Sequence, residues 1–156
     1  MKNGVRTEDV GKIVEVIKSS KSFLITSHLR PEGDSIGSQL AMKHVLDRLG
    51  KQSILVNDDP VPPIFEFLPQ SDRIITPEQV NGAPPVSIVL DCGHWDRLGA
   101  SGEVARRADV VLNGRAIERT EARRQMKEGL HRVALRRAIG IGMKRALPGR
   151  RRGRAQ

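Results

Sequence analysis

The sequence predicts an α/β domain, doubly wound around a mostly parallel sheet, with a basic C-terminal tail that is poorly structured or partly helical. Three observations lead there. Short apolar runs, SFLITS (22–27), QSILV (52–56), VSIVL (86–90) and DVVLN (109–113), alternate with segments whose apolar residues recur at helical spacing. Such alternation builds parallel sheets covered by helices, and near-continuous apolar runs suit strands buried on both faces. The charge is also divided along the chain. Of 27 Lys and Arg and 18 Asp and Glu, residues 1–113 hold 13 and 15, and residues 114–156 hold 14 and 3. The net charge of +9 therefore belongs to the last 43 residues, and a basic nucleic-acid-binding domain is excluded for the first 113.

Each element has a local reason. Thr7, followed by Glu8 and Asp9, marks a helix start, with a capping hydroxyl and acidic residues at the positive end of the dipole. Val10, Ile13, Val14 and Ile17 give that helix an apolar stripe. SFLITS is too short and too evenly apolar for a surface helix and reads as a buried strand. His28 to Gly33 is a loop, with Pro31 barring ladder pairing. From Asp34 to Leu49 the pattern is helical, with Ala41, Met42, Val45, Leu46 and Leu49 on one side and Gly50 as the cap. QSILV follows as a strand and ends at Asn57-Asp58-Asp59. Residues 61–68 hold two prolines and read as irregular or a short helix; 73–76 reads as a brief strand. VSIVL delivers Asp91 at its end, Ser101 to Ala108 is a short helix, and DVVLN is the last strand. The tail, 114–156, has no Asp, no aromatic residue and no strand-like run.

Composition narrows the function classes. A single cysteine, Cys92, excludes an intramolecular disulfide and suits a reducing compartment. No apolar run approaches the roughly 20 residues of a membrane span, and the N-terminus lacks the apolar core of a signal peptide. The expected location is cytoplasmic.

The chemistry concentrates in SHLRPEGDSIGS, residues 27–38. His28, Glu32 and Asp34 fall within seven residues on a strand-to-helix loop. Imidazole and carboxylate donors suit a divalent ion of the Mn²⁺ type, and a helix start offers N–H groups to an anion. Asp91, at the end of another strand, would be a further ligand. Taken singly, each residue has an ordinary explanation as a cap, a turn or a solvated side chain; the combination points to a phosphoryl substrate.

These residues resemble the DHH phosphoesterases. The first motif of that family runs H-x-x-P-D-x-D-[AS]-x-G-S, and His28, Pro31, Asp34, Ser35, Gly37 and Ser38 match it. VSIVLDCGHWDRLG is similar to the second motif through Asp91, Gly93, Arg97 and Gly99. ADVVLN resembles the strand that precedes the motif naming the family. The nearest group is the nano-oligoribonuclease and pAp phosphatase group. The resemblance implies a two-ion Mn²⁺ site with His28 and Glu32 on one ion, Asp34 on the other and Asp91 bridging. Asp34 and Asp91 would be the catalytic carboxylates, and short RNA or pAp-like nucleotides the substrates. Glu32 stands where the family has Asp. After DVVLN the family continues with Ile-Asp-His-His; this sequence reads GRAIERT and contains no Asp-His-His. The expected organisation is a partial phosphoesterase domain, 1–113, and an Arg-rich segment, 114–156, without family resemblance. A disrupted reading frame is the expected origin of that segment, and the activity is expected to be impaired. The alternative is a non-catalytic remnant that binds nucleic acid non-specifically through the basic tail. His44, His94 and His131 are read as incidental to the site.

Overall fold

The computed structural model describes residues 7–113 and 116–119. One compact unit spans Met1–Thr120; the second, Glu121–Gln156, lies outside the described residues, as does the expectation of a partly helical tail. Helix α1 (Thr7–Ser19) leads into β1 (Ser22–Thr26), α2 (Gly33–Arg48), β2 (Gln52–Val56), β3 (Ile74–Ile75), β4 (Val86–Val89), α3 (Gly99–Ala105), β5 (Val110–Asn113) and β6 (Ala116–Arg119). The sheet order is β3-β2-β1-β4-β5-β6. The first five strands are parallel and β6 is antiparallel to β5. The expected doubly wound, mostly parallel sheet is therefore present.

Strand alternation sends side chains to two faces. On one, Phe23, Ile25, Leu55, Val86, Ile88, Val110 and Leu112 pack with Leu46 of α2 and with Ile13, Val16 and Ile17 of α1. On the other, Leu24 and Val56 pack with Val104 and Ala105 of α3, and with Val80. Apart from Phe23 in the first layer and Trp95 against the second, both layers are filled by aliphatic side chains.

The structure corrects the expected helix faces. In α1, Val16 joins Ile13 and Ile17 on the sheet, while Val10 and Val14 stay exposed. In α2 the buried residues are Ser35, Ile36, Gln39 and Leu46; Val45 and Leu49 face solvent. Half of that buried face is polar because its first two turns lie over polar residues at the strand ends. Helix α2 ends as Gly50 predicts: Gly50 (φ 67) donates to Asp47 O and Lys51 to Leu46 O, a Schellman closure. Helix α3 starts two residues before the expected Ser101. The 61–68 segment forms only a 3₁₀ turn at Pro63–Phe65, whose Phe65 ring lies against Gly33.

The tail was expected to hold no strand-like run, and β6 overturns that. Its register, Asn113↔Ala116 to Val110↔Arg119, leaves two residues between the strands. A two-residue connection is the commonest hairpin link, and pairing supplies partners to the N–H and C=O groups on the outer edge of β5. Among the described residues, no helix is long and apolar enough to cross a membrane.

Candidate functional site

The sheet order dictates where a site can form. From β1 the chain moves outward to β2 and β3, then returns to β4 on the other side of β1. The order reverses between β1 and β4, and the loops leaving their carboxyl ends diverge around a crevice. Thr26 pairs with Val89 on one side and Val56 on the other. Two residues further on, His28, Asp91 and Asp58 reach the same level.

His28 and Asp91 are brought together. His28 is 7% exposed, and its Nδ1 lies 2.7 Å from Leu29 O. A carbonyl only accepts, so Nδ1 carries a proton and Nε2 is the ring's free position. Nε2 faces Asp91 Oδ2 at 3.4 Å, with the Asp91 side chain 43% exposed. Ladder pairing continues one residue past β4, Leu90 N–H donating to Thr26 O at 2.9 Å. Asp91 then turns at φ 50, a left-handed conformation that aspartate tolerates better than most residues. Non-glycine residues held there often mark functional loops.

Glu32 and Asp34 lie on the same loop, exposed to solvent. Helix α2 begins at Gly33, one residue earlier than expected, so Glu32 is its cap position and makes no side-chain cap. Asp34 sits inside the first turn and accepts the Ser35 N–H at 2.8 Å. Neither joins the His28–Asp91 pair. Among the described residues, no three His, Cys, Asp or Glu side chains form a group able to hold a metal ion. The pair by itself fits part of a ligand set. Nε2 and Oδ2 are an imidazole and a carboxylate donor, 3.4 Å apart, close enough to share one cation at ordinary bond lengths of about 2.0–2.2 Å. The carbonyl on Nδ1 fixes the ring as outer-shell partners of metal-binding histidines do. His44 is exposed on α2, as expected, and Cys92 Sγ donates to His94 O at 3.0 Å.

Beneath the loops lies a buried polar network. Ser35 Oγ donates to Ser27 Oγ at 2.7 Å, and Ser27 Oγ to Asn57 Oδ1 at 3.3 Å. Asn57 and Gln39 exchange amide hydrogen bonds at 2.8 and 3.0 Å. Thr26 Oγ1 donates to Ser101 Oγ at 3.0 Å, which ties β1 to α3. Sequence reading noticed Asn57-Asp58-Asp59 only as a polar strand end. The available signal was register: a polar residue directly after each of three neighbouring strands must share one rim.

No family model matches the sequence. The chain is 36% identical over 95 residues to the bifunctional oligoribonuclease and PAP phosphatase NrnA of Thermus thermophilus, a match covering 58% of this chain and 28% of that protein. Among solved structures, it resembles an exopolyphosphatase-related protein from Bacteroides fragilis. The TM-score is 0.62 at 19% identity, over 69% of this chain and 34% of that one. The structural likeness concerns the fold, and the sequence likeness covers about a quarter of the Thermus protein. Both motif loops lie on one rim of such a sheet, and the chain is similar there to a relative named as an oligoribonuclease and PAP phosphatase.

Proposed function

We propose that this chain is a Mn²⁺-dependent phosphoesterase module acting on short oligoribonucleotides or pAp-like nucleotides. The observation that carries the reading is the His28–Asp91 pair at the switch point, two donor atoms facing each other at 3.4 Å. Glu32 and Asp34, exposed on the same loop, are the further donors, and Asp34 and Asp91 are the carboxylates nearest the chemistry. A divalent ion held there would supply positive charge to the phosphoryl oxygens and acidify water. The chain's own residues do the rest. Leu29 O orients the His28 ring, and the first N–H groups of α2 offer donors to a phosphate. The substrate class follows the two activities in the name of the Thermus relative. The chain spans about a quarter of that protein's length. GRAIERT stands where the resemblance expects Asp-His-His, and the proposed turnover is therefore slow. A cytoplasmic setting, where the free Cys92 stays reduced, goes with this reading.

The test is single-turnover hydrolysis of a diribonucleotide, and separately of pAp, by excess full chain with Mn²⁺. Mononucleotide or phosphate release that vanishes in Asp91→Asn and His28→Ala supports the reading. Release no faster than with Mn²⁺ alone overturns it, as does equal release in both variants. A second reading rests on the charge of residues 114–156, which hold 14 basic and 3 acidic side chains. Non-specific nucleic-acid binding there would fall steeply with salt and survive Asp91→Asn.

A further inference from the structure

Asp58 lies at the level of His28 and Asp91, and Asp59 follows it. Carboxylates on such a rim invite a reading as metal ligands, but their hydrogen bonds give them different work. Asp59 Oδ2 accepts the Arg30 N–H at 2.7 Å. Arg30 sits at φ 52, in the left-handed region an arginine seldom adopts, two residues after His28. Asp58 Oδ1 accepts the Ala100 N–H at 3.0 Å. Its other oxygen lies against Gly99, where an added Cβ would overlap it. Between these two attachments, Leu29 N–H donates to Arg97 O at 2.6 Å and joins the two loops directly. Asn57, 1% exposed, anchors the tripeptide to Gln39 of α2 and to Ser27. Three consecutive residues leaving β2 thus hold α2, the His28 loop and the segment that follows Asp91.

We propose that Asp58 and Asp59 are positioning residues. Each accepts a backbone N–H and fixes one of the two loops whose approach sets the His28–Asp91 spacing, and neither is a metal ligand. Asp59 accepts the Arg30 N–H while Arg30 holds its left-handed conformation, so an acceptor oxygen at this position keeps the loop in place. The consequence for metal binding rests on the reading of the site given under Proposed function; the clasp itself does not.

Alanine and asparagine at each position separate the possibilities, because asparagine keeps an acceptor oxygen and removes the charge. The full chain is used throughout. Amide hydrogen exchange is read at Arg30 and Ala100 without metal, with Leu24 and Ile88 in the core as the folding control. Mn²⁺ affinity is read from the electron spin resonance of the free ion. Asp59→Ala should speed exchange at Arg30, and Asp58→Ala at Ala100, by about tenfold. Both should weaken Mn²⁺ binding by about tenfold, as loss of an outer-shell support does. Asp58→Asn and Asp59→Asn should stay within about threefold of wild type on both readouts. The proposal is overturned if the asparagine variants lose Mn²⁺ as fully as the alanine variants, since the carboxylates would then be ligands. It is equally overturned if alanine leaves exchange at Arg30 and Ala100 unchanged. Should the wild-type chain take up no Mn²⁺, the metal reading of the site fails by itself, and exchange still decides the clasp.

Discussion

Replacing Gly99 with alanine probes the joint between the second motif and the rest of the rim. Gly99 adopts φ 56, ψ −142, a conformation that costs an L-residue about 1–3 kcal/mol. The new Cβ would overlap Asp58 Oδ2 and come within 2.8 Å of Leu29 Cδ2. Asp58 cannot swing away freely, because its other oxygen holds the Ala100 N–H at 3.0 Å. Giving up that bond to a charged acceptor costs roughly 1.5–3 kcal/mol. The two terms together predict a loss of about 3–5 kcal/mol, a large share of the ~5–15 kcal/mol typical of a domain. Gly50 is the internal control. It has φ 67 and, among the described residues, nothing within 4 Å of the added Cβ, so Gly50→Ala should lose only the backbone part, about 1–2 kcal/mol. Urea unfolding of both variants, with unchanged slopes, reads the difference. Equal losses in the two variants would refute the packing of Asp58 over Gly99, and with it the reason this position is glycine.

Two further predictions concern the sheet. Ser87 is fully buried in β4 with no partner for its hydroxyl among the described residues, so Ser87→Ala should raise thermal stability by about 1 kcal/mol; a loss of similar size would show that the hydroxyl is satisfied. A chain ending at Asn113 lacks β6 and should be less stable than one ending at Arg119 by roughly 2–4 kcal/mol. It should also self-associate through the bared edge of β5, whereas identical unfolding midpoints and masses would argue against the β5–β6 pairing.

Much of this fold was legible in the sequence. Strands β1, β2, β4 and β5 fall within a residue of the apolar runs, since β1, β4, β5 and the end of β2 are buried on both faces and are mostly apolar. The meeting of His28 and Asp91 was also legible, as two polar residues placed at the ends of apolar strands. What escaped depended on partners distant in sequence. Gln39 and Ser35 were not among the residues assigned to the inner side of α2, and only Asn57 and Ser27 make them a buried face. Asp59 and Arg30 are 29 residues apart, Asp58 and Ala100 are 42 apart, and no local pattern announces either bond. Strand β6 was hidden by its length, four residues inside an Arg-rich stretch, where alternation is too brief to register. Glu32 and Asp34 were grouped with His28 by spacing and by resemblance to the family's first motif; both are exposed where α2 begins.

If His28 and Asp91 form the metal-holding core of the rim, anomalous diffraction from crystals of the full chain soaked in Mn²⁺ will locate the ion there. A manganese peak is expected within bonding distance of both His28 Nε2 and Asp91 Oδ2, absent in His28→Ala. A crevice with no peak, or manganese bound only to other residues, would contradict it.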